Sequence, residues 1–143
     1  MRGVMPYFAS AIAVAAAMLC CGCGGAKSSA PAAGRTVELT DAFFVRGSSD
    51  TLNFGRLHEG EIAVRSITLH NASAEPTVIV THEVSCGCVT LDYERRPILP
   101  DASATVDFTF DSRGERGWQM KLVTLRFGEK AVPLRIFVEA EVE

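Results

Sequence analysis

Over its C-terminal two thirds the chain alternates apolar and polar residues with a period of two. Val106, Phe108 and Phe110 alternate with Thr105, Asp107 and Thr109. Val123, Leu125 and Phe127 alternate with Thr124 and Arg126, with Leu122 breaking the rule. Val132, Leu134, Ile136, Val138, Ala140 and Val142 alternate with Arg135, Glu139 and Glu141. Such alternation predicts antiparallel strands buried on one face. Pro133, which lacks an N–H for the ladder, places the start of the last strand at a sheet edge.

Earlier segments are shorter but of the same kind. Thr51 to Phe54 predicts a first strand, and Glu61 to His70 a longer one. In the latter, Ile62 and Val64 have one parity, Ile67 and Leu69 the other, which predicts a bulge near Arg65 and Ser66. Thr77 to Val84 is rich in β-branched residues. Val89 to Tyr93 predicts a short strand before Arg95-Arg96-Pro97, and Asn71 to Pro76 a turn. No helix is expected after the N-terminal segment. About seven strands, separated by turns at this spacing, predict an all-β, Ig-like antiparallel sandwich. The Cys…Trp…Cys order of antibody domains is absent, because Trp118 follows both of the cysteines that could take part.

The N-terminus follows other rules. Arg2 precedes Tyr7 to Leu19, an uncharged, alanine-rich run of 13 residues. That length suits the apolar part of an export signal, about 7–15 residues, and falls short of the roughly 20 needed to span a bilayer. The run leads into Leu19-Cys20-Cys21-Gly22-Cys23, which resembles a bacterial lipobox. Cys23, preceded by the small Gly22, is the expected lipidation site, with Cys21 as the alternative. Residues 1–22 are then a lipoprotein signal peptide. Residues 23–49, opening with GGAKSSAPAAG, are a flexible tether, and 50–143 are the sandwich. Of the five cysteines, Cys86 and Cys88 remain as an unmodified pair in an exported chain, a candidate disulfide. The formal charge of -3, with acids and bases interleaved, lacks the basic footprint of a nucleic-acid binder.

The order of motifs is similar to that of the bacterial family called Domain of Unknown Function fifteen-seventy-three. Phe54-Gly55, Glu59-Gly60-Glu61, Asn71, Ser85-Cys86-Gly87-Cys88, Pro97-Ile98-Leu99-Pro100, Phe110-Asp111 and Gly117-Trp118 with Lys121 carry the resemblance. Val89 stands where the family favours threonine, Asp101 replaces the glycine of its Pro-Gly turn, and His82 an apolar residue. The resemblance implies an exported or lipid-anchored Ig-like module of PapD-like shape. It implies no activity.

Candidate chemistry centres on Cys86-Gly87-Cys88. In a flat strand, residues two apart lie about 6.6 Å apart with parallel Cβ vectors, too far for a disulfide. A positive φ at Gly87 would tighten the backbone and let the sulfurs meet. Four roles stay open: a structural pair, a thiol/disulfide couple, a soft-metal site, or a surface without cysteine chemistry. His58, His70 and His82 lack metal-ligand spacing, so no metal or cofactor is assigned. Phosphate-loop and nucleophile-elbow motifs are absent. Asp107, Asp111, Glu115 and Glu139 could form a carboxylate pair, but those on strands fall at solvent-facing positions, where charge is the ordinary expectation; the formal sequon Asn71-Ala72-Ser73 reads as a turn. Arg113 to Trp118 predicts a hairpin tip. Arg113, Arg116 and Trp118 are candidate interface anchors, although the preferred expectation is that Trp118 packs on the end of the sandwich. The functional expectation is a non-enzymatic, lipid-anchored module that binds or scaffolds another envelope protein. The alternative is a thiol redox or soft-metal-handling protein using Cys86 and Cys88.

Overall fold

A computed structural model describes residues 34–143. Its elements are β1 (Arg35–Leu39), α1 (Phe43–Arg46), β2 (Ser48–Leu57), β3 (Ile62–Asn71), β4 (Ile79–Val84), β5 (Val89–Tyr93), β6 (Ser103–Asp111), β7 (Gly117–Phe127) and β8 (Val132–Val142). They form two four-stranded sheets, ordered β1-β3-β6-β5 and β2-β8-β7-β4. The inward parity of each strand supplies the core between them. Val106, Phe108, Phe110, Val123, Leu125, Phe127 and Leu134 are completely buried. The expected all-β sandwich is therefore present. The expected signal peptide and the expected lipidation site Cys23 lie outside the described residues.

Eight strands replace the expected seven because the first Ig strand is divided. β1 pairs parallel with β3 in one sheet, and β2 pairs parallel with β8 in the other. The sandwich is therefore not purely antiparallel. The chain changes sheets through Thr40 to Gly47, which includes the single turn of α1. Residues 35–46, expected within the tether, thus belong to the fold. Their polar surroundings hid three apolar positions, Val37, Leu39 and Phe43, all of which are buried. Phe43 packs edge-on against Phe127, ring centroids 5.4 Å apart. Gly47 has φ +73° and lies so near β8 that a Cβ would fall 2.5 Å from the Pro133 carbonyl oxygen.

Two local expectations change. β3 holds unbroken register with β6 from Ile62 to His70, so there is no bulge at Arg65 and Ser66. Ile62 and Val64 simply face outward and are exposed. β8 is interior, between β2 and β7. Pro133 is tolerated because it pairs with Arg126 of β7 before β2 joins at Leu134.

Candidate functional site

The connection from β4 to β5 carries Cys86 and Cys88 across the open side of the sandwich, from one sheet to the other. It is pinned at both ends. The Ser85 N–H donates to the Leu122 carbonyl (2.9 Å), and the Leu122 N–H donates to Ser85 Oγ (2.8 Å), tying it to β7. On the other side the Asp111 N–H donates to the Cys88 carbonyl at 2.9 Å. Nearby, His82 Nδ1 and the Tyr93 hydroxyl lie 2.8 Å apart and join edge strands β4 and β5. His82 is thereby engaged in closing the sandwich side.

Cys86 and Cys88 are joined by a disulfide, with Cα atoms 5.2 Å apart. The contraction from strand spacing comes from a turn in which the Val89 N–H donates to the Cys86 carbonyl at 3.2 Å. Gly87 is not among the glycines with positive φ, so the expected left-handed glycine is not the device. Gly87 is exposed, and a Cβ there would meet nothing within 4 Å. The bridge is a poor staple for the chain. Closing a loop of three residues removes roughly 1.6 kcal/mol of unfolded-state entropy, against about 3 for fifteen residues.

A carboxylate stands behind the disulfide. Glu115 Oε1 is 4.0 Å from Cys86 Sγ, and Glu115 Oε2 accepts from Lys121 Nζ at 3.1 Å. Both side chains are mostly buried, 21% and 18% exposed. The Cys88 N–H donates to Cys86 Sγ at 3.1 Å. Among the described residues, Cys86, Cys88 and Glu115 form the one group of three metal-capable donors within 4.8 Å of one another. The histidines do not join it. Glu115 lies in the turn between β6 and β7, where no strand pattern marks it as facing the cysteines. Lys121 held the legible signal, since it continues the inward parity of Val123, Leu125 and Phe127.

The expected interaction loop separates into parts. Arg113 folds back on Asp111 in an ion pair, and its hydrogen bonds hold the Asp111 carboxyl below the usual carboxylate range. Arg116 Nη2 donates to Glu59 Oε2 at 2.8 Å. Both arginines are thus ion-paired at the surface, with side chains 72% and 80% exposed. Trp118 is not at the tip and does not pack on the sandwich end. It lies on β7, faces outward, and is 60% exposed; Met120, on the same face, is 50% exposed.

That stretch of β7 also has a free backbone edge. β4 pairs with β7 from Phe127 to Val123, and Ser85 extends the contact to Leu122 before the chain turns away. From Gly117 to Lys121, β7 pairs with β8 alone. Hydrogen-bonding groups alternate sides along an antiparallel strand. Leu122 faces Ser85, so Met120 and Trp118 present their N–H and C=O groups to the vacated side. Glu139 and Glu141 lie opposite Met120 and Trp118 in the register. Neither acid has an ion-pair partner among the described residues. With Asn53, Arg56 and Trp118 they border a shallow depression of about 200 Å³, enough for one side chain.

The model of a protein family of unknown function, DUF1573, matches residues 45–142. The chain belongs to the DUF1573 family. No curated protein matches it. Among solved structures, a Porphyromonas gingivalis W83 protein of unknown function is 22% identical, with a TM-score of 0.56 over 65% of this chain and 44% of that one. The Vibrio cholerae VesB protease is 14% identical, with a TM-score of 0.52 over 66% of this chain and 30% of that one. The chain spans under half the length of either structure. At these identities the likeness concerns the DUF1573 fold alone.

Proposed function

We propose that this DUF1573 domain is a non-enzymatic binding module, lipid-anchored at Cys23 in the bacterial cell envelope. It takes up an extended segment of another envelope protein as an added strand. The observation that carries this reading is the bare edge of β7 at Trp118 and Met120, where exposed backbone groups and exposed apolar side chains coincide. Main-chain hydrogen bonds give such an addition affinity, and alternate side chains give it specificity. The flanking Glu139 and Glu141 favour a segment that carries lysine or arginine beside an apolar residue.

Two variants test the reading. Met120→Pro removes an N–H that faces the vacated side and leaves the β8 ladder its donors. Trp118→Ala removes apolar contact area. The full chain, recovered from detergent-solubilised envelopes, is expected to retain a partner that both variants lose at least tenfold. The surface control Glu94→Ala should retain it. Equal recovery by all four chains would overturn the strand-addition reading. For the anchor, Cys23→Ser is expected to release the chain from membranes; retention there would refute lipidation at Cys23.

A further inference from the structure

We propose that Cys86 and Cys88 form an exchangeable dithiol/disulfide couple, with Cys86 as the exchanging sulfur and Glu115 as its proton acceptor. The partner is a protein disulfide or dithiol in the same compartment. This rests on the turn between β4 and β5, independently of the bare β7 edge.

Four features converge. The bridge spans only two positions in sequence, so it ties down little of the unfolded chain. Pinning to β7 at Ser85 and to β6 at Cys88 keeps the two sulfurs close after the bond opens, which favours its re-formation. The Cys88 N–H directed at Cys86 Sγ (3.1 Å) stabilises negative charge on that sulfur. Glu115, 4.0 Å from the same sulfur, is placed to receive the proton, and Lys121 holds the carboxylate in position. Exposed Gly87, with open space around it, leaves a partner chain room to approach.

The chemistry balances as follows. In the reduced domain the Cys86 thiol passes its proton to the Glu115 carboxylate. The resulting thiolate attacks one sulfur of the partner's disulfide. A bond forms between Cys86 and that sulfur, and the partner's own S–S bond breaks. The departing partner sulfur keeps the bonding pair and takes the proton from Glu115. Cys88 then loses its proton to water and attacks Cys86 Sγ. The Cys86–Cys88 bond forms, and the second partner sulfur leaves as a thiolate that takes up a proton from water. Two electrons have passed from the domain to the partner. The reverse sequence oxidises a partner dithiol, and the relative abundance of the two partner forms sets the direction.

The test uses the native full chain and reads the peptide containing Cys86 and Cys88 by differential alkylation and mass spectrometry. The N-terminal cysteines then do not interfere. The wild-type pair is expected to open in dithiothreitol without denaturant, and to close again with oxidised glutathione. Glu115→Gln should slow both steps about tenfold near neutral pH, and Glu115→Asp should recover part of the loss. Unfolding midpoints of the variants, measured alongside, show that each is folded. A pair that opens only in denaturant would overturn the proposal. So would a folded Glu115→Gln chain that exchanges as fast as wild type. Stoichiometric retention of copper(I) or zinc by the reduced chain, blocking alkylation, would instead make the three donors a metal site and also overturn it.

Discussion

At the scale of single residues, two positions show how a buried or strained backbone selects its side chain. Asn71 ends β3 fully buried. Its Nδ2 donates to the carbonyls of Glu75 (2.9 Å) and Ile98 (2.8 Å), and its Oδ1 accepts from the N–H (3.1 Å) and hydroxyl (2.7 Å) of Ser73. No other side chain offers two donors and an acceptor in that shape. Asn71→Ala should therefore cost about 3 kcal/mol in urea unfolding, because several buried groups lose their partners. The same burial closes the formal sequon to a glycan. Asp101 is the converse case. It lies in a turn where the Ala102 N–H donates to the Leu99 carbonyl, after Pro100, and its φ is +60°. A positive φ at the third position of such a turn suits glycine. Asp101→Gly should stabilise the domain by about 1 kcal/mol. A raised thermal midpoint checks it.

Among the elements, β1 is a short edge strand, and one of the side-chain pairs that join it to β3 depends on pH. It has five residues and pairs along one side with β3 alone. Glu38 lies opposite His70 in that register, and His70 Nδ1 is 2.7 Å from Glu38 Oε2. This hydrogen bond raises the His70 pKa above its ordinary value. The folded state therefore binds the proton more tightly than the unfolded state. The stabilisation is complete below the unfolded pKa and is lost as pH rises through the raised folded pKa. The stability gap between wild type and Glu38→Gln should thus be larger at about pH 5.5 than at about pH 8.5. Thermal midpoints across that range check the sign, and a gap that widened with pH would refute it. β7 shows a different trade. Its half from Val123 onward is paired on both sides and contributes to the core, and its half from Gly117 to Lys121 is paired by β8 alone.

For the molecule as a whole, the fold depends on residues that lie before the first obvious strand. Val37, Leu39 and Phe43 enter the core between the sheets. Burying each stabilises by about 1.5–3 kcal/mol, so the three together rival the net stability of a domain, about 5–15 kcal/mol. A chain beginning at Ser48 is expected to lose its cooperative melt by circular dichroism, while one beginning at Gly34 keeps it. An equally cooperative melt for the shorter chain would show that β1 and α1 are dispensable.

The limits of the sequence follow from the range of each interaction. Burial on one face of a strand imposes a period of two, so the inward residues of β6, β7 and β8 were legible directly. The cysteine pair was legible as well, because its two members are near neighbours in the chain. Parity alone could not say that Ile62 and Val64 face away from the core, since that depends on which side of β3 the opposing sheet covers. It could not divide the first strand between two sheets, because parallel pairing with β3 and β8 joins segments far apart in sequence. Nor could it turn Glu115 toward Cys86 or leave half of β7 without a neighbour on its β4 side. Those features exist only where distant segments meet, at the point where β4 leaves its sheet.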